Sequence, residues 1–221
     1  GFTPPDYDLF QTLKLLPGED RKGFEDLVTG SRHGAGFCIY EAHLEERHRD
    51  SDGDVTWNTT FRGQLMRLAY PRPFYGRTVV TRDAGWFNGM MKPGRDFSPV
   101  GIASPRFEKA FEAWSTDQVE ARHLLDPVVL ERFIELDRMF GGKRLRAAFA
   151  DGAVYLAVET GDVMKEGFGF KAIDSEERVA ALLKEYAVIF DLIDVLIRPL
   201  GGRIEGSFSV NHVSGKGAPG E

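Results

Sequence analysis

Asp117, Glu120, Arg122 and His123 are the most chemically suggestive cluster in this chain of 221 residues. Carboxylates and an imidazole move protons and bind metals, and on a helix Glu120 and His123 lie three apart on one face. A hydrolytic metal site built on Asp117, Glu120 and His123 needs a further ligand, for which Asp83 and His43 are the candidates. No ligand spacing links them, and His43 with His48 lacks the His-Glu-x-x-His register of zinc proteases. The plainer reading makes Asp117 a helix cap, Glu120 its capping-box partner and Arg122 a local ion-pair partner. Ser207, Ser209, Asn211 and His212 place serine and histidine close together near the end of the chain, a pattern common in polar strands. No Gly-x-Ser-x-Gly elbow or Walker loop is present. Cys38, the single cysteine, sits in the apolar run Phe37-Cys38-Ile39-Tyr40, where a buried thiol is expected rather than a nucleophile. Neither a cofactor nor a metal is expected from these patterns.

A second candidate is a surface rather than a reaction. Residues 83–101 are irregular, rich in Gly and Pro, and carry Trp86, Phe87, Met90 and Met91. Aromatics and methionines on a long loop suit an adaptable contact surface; the alternative is a lid tucked back onto a sheet.

The elements that position these residues follow from periodicity. Residues 175–198 read as one long amphipathic helix, with Val179, Leu182, Leu183, Tyr186, Ile189, Phe190, Ile193 and Leu196 at three- and four-residue steps. Asp191 and Asp194 interrupt that stripe and are read as a solvated strip, with a polar site as the alternative. Asp117 and Asp126-Pro127 open two shorter helices, the second with the stripe Val129, Phe133, Leu136 and Phe140. Residues 8–16 are read as a short helix. Strands are expected over 24–29, 36–44, 55–70, 75–82, 145–150, 153–158 and around Ile204, Phe208 and Val210, with Asp151-Gly152 as a type I′ hairpin turn. Residues 45–54 are expected to be an exposed loop, and Gly63 a bulge or bend. The first strands form a meander. Strands first and helices later argue for an α+β fold: a curved antiparallel sheet packed around the long C-terminal helix, with a helical block near 117–140. The domain reading is an N-terminal segment over 1–19, a single domain over 20–213 and a flexible tail over 214–221.

Residues 107–127, running from Phe107 through Ser115-Thr116-Asp117 and Glu120-Ala121-Arg122 to Leu125-Asp126-Pro127, resemble the signature of a bacterial family, domain of unknown function 3137. Phe61-Arg62-Gly63 and Gly76-Arg77-Thr78 fit the same family, and the resemblance covers about residues 20–198. It implies a soluble domain that follows membrane-spanning segments, carries no established reaction and has no catalytic residues to transfer. It also tips residues 107–114 toward an extended segment.

Composition excludes some classes. The net charge of -6 and pI of about 5.5 leave no basic footprint for nucleic acid. One cysteine cannot build an internal disulfide framework and fits a reducing compartment. The sequon Asn58-Thr59-Thr60 has no secretion signal to accompany it. The chain opens on Gly rather than Met, so an upstream continuation is expected. The functional expectation is a non-enzymatic binding or regulatory module with a protein or membrane partner, cytoplasmic and tethered to the inner membrane through an upstream region. The metal-assisted hydrolase is the alternative.

Overall fold

The computed structural model describes residues 2–70, 73–82, 93–139, 145–159, 187, 190, 191, 194 and 208–216. In chain order these form α1 (Tyr7–Thr12), β1 (Arg21–Arg32), β2 (Ala35–Arg49), β3 (Val55–Ala69), β4 (Thr78–Arg82), β5 (Ser98–Pro99), α2 (Pro105–Glu108), β6 (Phe111–Ser115), α3 (Gln118–Leu124), α4 (Pro127–Met139), β7 (Leu145–Ala150), β8 (Ala153–Glu159) and β9 (Phe208–Lys216). The architecture is α+β: one open sheet of order β5-β6-β4-β7-β8-β3-β2-β1-β9, antiparallel at every pairing, with short helices.

Local chemistry explains several elements directly. Asp151 and Gly152 have φ of 50° and 73°, the pair of positive angles that a type I′ turn needs, and Ala150 faces Ala153 across it. Asp126 Oδ1 accepts the N–H groups of Val128 and Val129 at 2.8 and 2.9 Å, capping α4 ahead of Pro127. Val129, Phe133 and Leu136 are buried as their spacing requires, joined by Leu130 and Ile134. Residues 107–114, expected to be extended, begin in the single helical turn of α2 and continue as strand β6.

The sheet is buried on both faces in its middle. On β8, Val154, Leu156 and Val158 join one core cluster and Ala153, Tyr155 and Ala157 the other. The first cluster is covered by α2, α3 and α4. The second is covered by the N-terminal segment: Tyr7, Phe10, Leu13, Leu15 and Leu16 are each 6% exposed or less. Ala148, Ala150, Ala153 and Ala157 leave room there, and Phe10 meets Tyr155 edge to face at 5.3 Å. Residues 7–16, within the expected N-terminal segment 1–19, roof this face of the sheet.

Other differences from the sequence reading have physical causes. Residues 45–54 are not a loop: β2 and β3 pair through Arg49↔Val55, leaving a turn at 50–54. Both faces there are solvated, so no hydrophobic period marks the strands. The bulge falls at Thr60, where the register shifts between Leu44↔Phe61 and Glu45↔Thr59, and Gly63 has another role. A Cβ on Gly63 would lie 2.0 Å from the Val158 carbonyl oxygen, so only glycine lets β3 approach β8 so closely. β1, β2 and β3 do form a meander, but the β7–β8 hairpin separates β4 from β3. β9 reaches Lys216, beyond the start of the expected tail.

The long helix expected over 175–198 lies almost wholly outside the described residues. Ala187, Phe190, Asp191 and Asp194 are helical, but no long C-terminal helix is evident among the described residues. Phe190 packs edge to face on Phe37 at 5.7 Å, so this segment meets the β2 end of the first cluster, while α4 fills the β7 end. Among the described residues the cover comes from α2, α3 and α4 on one face and from the N-terminal segment on the other.

Replacing Phe10 by Ala is expected to cost about 3–5 kcal/mol, because the alanines opposite cannot close the void. Urea titration of the variant against the parent chain checks this, with an unchanged midpoint as the contrary result.

Candidate functional site

The Asp117 cluster is assembled by the chain's turn from β6 into α3. Ser115 Oγ accepts the Asp117 N–H at 3.0 Å. Asp117 Oδ1 in turn accepts the N–H groups of Val119 and Glu120, both at 2.9 Å. The cap is as expected, but the capping box is half open. Glu120 does not reach back to Asp117; its two oxygens accept the Tyr75 N–H at 2.9 and 3.1 Å, and Oε2 accepts the Gly76 N–H at 2.8 Å. Gly76 passes so close to the cap that a Cβ there would lie 2.7 Å from Asp117 Cβ. Thr116 completes the junction by accepting the Arg77 N–H at 2.8 Å. Asp117 and Glu120 therefore dock the segment before β4 onto the start of α3, with their carboxylates turned to backbone amides.

His123 lies in the last turn of α3, its Nδ1 3.0 Å from the Val119 carbonyl oxygen. His43 is on β2, with β7, β8 and β3 between it and β4, and its Nε2 lies 2.9 Å from the Thr59 hydroxyl. Burial lowers the His43 pKa from its ordinary value. Asp83 lies outside the described residues, and no group of three or more His, Cys, Asp or Glu side chains that could hold a metal ion occurs among the described residues. Cys38 is 7% exposed, and burial pushes its thiol up to about 11, which suits a structural thiol. His212 and Ser209 lie on β9, and Ser207 lies outside the described residues.

Asp194 departs from the solvated strip expected of it. It is 7% exposed and accepts two hydrogen bonds from the Arg32 guanidinium, at 2.6 and 2.8 Å; His33 Nε2 lies 2.8 Å from its Oδ1. Arg32, then burial in the opposite sense, then His33 set its pKa, and the net direction is down. Asp191, by contrast, is exposed. The pair joins the helical residues near 190 to the β1–β2 turn. Arg82 with Asp137 is a useful contrast: one contact at 2.8 Å does not offset burial, and the Asp137 pKa is raised.

A cavity of about 380 Å³ opens at the β5 end of the sheet. Its walls are the described remainder of the irregular 83–101 segment, with α2 and β6. Pro99, Val100, Ile102, Phe107, Phe111 and Trp114 line it together with Glu108, Glu112 and Ala113. The aromatic wall is rigid: Phe107 and Phe111 stack at 5.0 Å, and the Arg82 guanidinium sits 5.4 Å over the Phe111 ring. β5 is two residues long, pairing Ser98 with Ser115 and Pro99 with Trp114, so it covers only one end of β6. The Val100 N–H adds one bond to the Ala113 carbonyl at 2.8 Å. Beyond that point no further strand lies on the outer edge of β6 among the described residues, while β4 pairs with its whole inner edge. Trp86, Phe87, Met90 and Met91 lie outside the described residues. Their segment leaves the sheet at Arg82, opposite Phe111, and rejoins the described chain at Pro93, ahead of β5. Sequence reasoning pointed to the loop but missed Ile102, Phe107 and Phe111, whose apolar character reads simply as core.

A family model for proteins of unknown function, DUF3137, matches residues 59–198, well over half of the chain. No curated protein matches the chain. A solved structure that matches is the mycobacterial trehalose monomycolate transport factor A, TtfA: 12% identity, 71% of this chain and 75% of that one covered, TM-score 0.35. A likeness of that size carries no argument about this chain.

Glu120→Ala is expected to lower stability by about 1–3 kcal/mol, because it strands amide donors held by a charged acceptor. His123→Ala is expected to stay within about 0.5 kcal/mol and to leave the metal content of the purified protein unchanged. Stoichiometric metal lost on His123→Ala would contradict this assignment. Asp194→Asn tests the second cluster. A depressed folded pKa contributes stability in full above the unfolded value of about 3.9 and loses it as pH falls through the folded value. The variant is therefore less stable by about 1–3 kcal/mol at neutral pH, and the gap closes in acid. A gap that does not change with pH would contradict the ion pair.

Proposed function

We propose, from the premise that this chain belongs to the DUF3137 family of proteins of unknown function, that it is a non-enzymatic binding module which captures an extended apolar segment at the β5–β6 edge. The observation that carries the reading is the aromatic-walled cavity beside the part of β6 that β5 leaves uncovered. An added strand gains main-chain hydrogen bonds from such an edge, and a pocket beside it selects one apolar side chain. The volume of the cavity falls within the range of small recognition pockets. Trp86, Phe87, Met90 and Met91 stay in this proposal as further contact residues on the chemistry of their side chains alone. Nothing in the geometry around Asp117, Glu120 and His123 favours the hydrolase reading.

The place of the module in this reading is the cytosolic side of a membrane-anchored protein. That part rests on the arrangement the family resemblance implies. No helix among the described residues is long and apolar enough to cross a membrane.

The test is a peptide selection on the whole chain followed by calorimetric titration of the recovered peptides. Binders are expected to be extended and apolar. Ile102→Trp, which grows into the cavity, is expected to weaken them about tenfold, the equivalent of 1.4 kcal/mol, with little change in melting temperature. Binders indifferent to Ile102→Trp, or none recovered, would overturn the reading.

A further inference from the structure

The cavity beside β6 carries charge of one sign. The charged residues that line it are Glu108 and Glu112, and none of its lining residues is basic. Glu108 is exposed at the end of α2, and Glu112 is half-buried on β6. The nearby arginines are engaged with other carboxylates. The Arg82 guanidinium over Phe111 is held by Asp137 at 2.8 Å, and Arg106 pairs with Glu131 at 3.2 Å. Lys109, the residue after Glu108, is exposed and does not line the cavity. Strand alternation divides the lining further. β6 alternates buried Phe111, Ala113 and Ser115 with half-buried Glu112 and Trp114, so the two sets lie on opposite faces. Phe111 and Ala113 belong to the first core cluster with Val100, Ile102 and Phe107, while Trp114 packs on the second. The cavity touches both sets, so it lies across the edge of the strand rather than on one face.

We infer that the captured segment carries a lysine or arginine immediately next to the apolar residue that fills the cavity. This rests on the reading of the cavity as a capture site. A strand added along β6 presents successive side chains to opposite faces. The one on the Phe111 face meets the apolar cluster, and its neighbour on the Glu112 face meets a carboxylate. Side chains that face each other across paired strands interact directly, and opposite charges there are favourable while like charges are not. Glu108 adds a second negative charge at the same cavity. The two carboxylates therefore select a basic neighbour and disfavour an acidic one. A basic side chain suits the place in a second way: its hydrocarbon stem covers apolar surface while its charged head stays at the wet rim.

Three acetylated, amidated heptapeptides test this on the whole chain. Each has a central leucine on a threonine background, flanked on both sides by lysine, by glutamine or by glutamate. Binding is followed by amide chemical shifts in low salt. The lysine peptide is expected to bind about fivefold tighter than the glutamine peptide, and the glutamate peptide more weakly than either. The lysine advantage is expected to shrink in high salt as the charges are screened. Glu108→Gln, at an exposed position, is expected to remove part of it. Glu108→Gln/Glu112→Gln is expected to remove all of it while keeping the affinity for the glutamine peptide, which shows that the double variant is folded. Equal binding of the three peptides, with Ile102→Trp still weakening them, overturns the basic neighbour and leaves the capture site standing. A lysine advantage that survives in the double variant overturns it too, as does one equally large with the lysines two residues from the leucine. Three peptides that all fail to bind, or that bind without regard to Ile102→Trp, overturn the capture reading and this inference with it.

Discussion

The fold depends on covering a sheet that is apolar on both sides. β8 has no solvent-facing position between Ala153 and Val158, and β7 is nearly as buried. A strand of this kind has to sit in the middle of a sheet and needs a cover above and below. The large side chains, Leu156, Phe149 and Val158, take the helical side, where α4 supplies Phe133 and Leu136. The other side carries Ala148, Ala150, Ala153 and Ala157 around Tyr155, and there the N-terminal segment approaches closely enough for Phe10 to reach the Tyr155 ring. The division of side-chain volume along one hairpin thus determines where both covers lie.

That constraint also determines what is left for function. The middle of the sheet is spent on packing, so the ends and the projections carry the exposed chemistry. At one end β5 is too short to finish the edge, and a cavity forms where the ladder gives out. Near the other, β2 and β3 extend past the strands that flank them among the described residues, and residues 46–59 are exposed. The polar side chains that look most chemical in one dimension are engaged in construction. Asp117 and Glu120 fasten the approach to β4 onto α3, and Asp194 fastens a distant helical segment to the β1–β2 turn.

What was legible in the sequence is what local chemistry determines. Asp151-Gly152, the Asp117 and Asp126 caps and the Val129–Phe133–Leu136 stripe act within a few residues, so their types and spacing suffice. The α+β class followed from the order of such elements. Long-range partnerships were not legible. Nothing local says that Gly63 must face Val158, that Glu120 will find the amides of Tyr75 and Gly76, or that Asp194 will meet Arg32. The β3 half of the hairpin was legible from Val55, Trp57 and Phe61, but residues 45–49 of β2 were not, because a charged stretch solvated on both faces carries no period-two apolar signal. The cavity escaped notice because Phe107 and Phe111 are indistinguishable from core until the neighbouring strand stops short.

The claim that everything else rests on is that the N-terminal segment and the helical cover close the two faces of one cooperative sheet. Native-state hydrogen exchange on the whole chain measures this directly. The account predicts that the Leu13 and Leu15 amides, bonded to the Leu9 and Phe10 carbonyls, exchange only through the same opening that exposes the amides of β7 and β8. Fast exchange at Leu13 and Leu15 while β8 stays protected would show that the segment is an ornament on a sheet that stands without it, and would contradict the account.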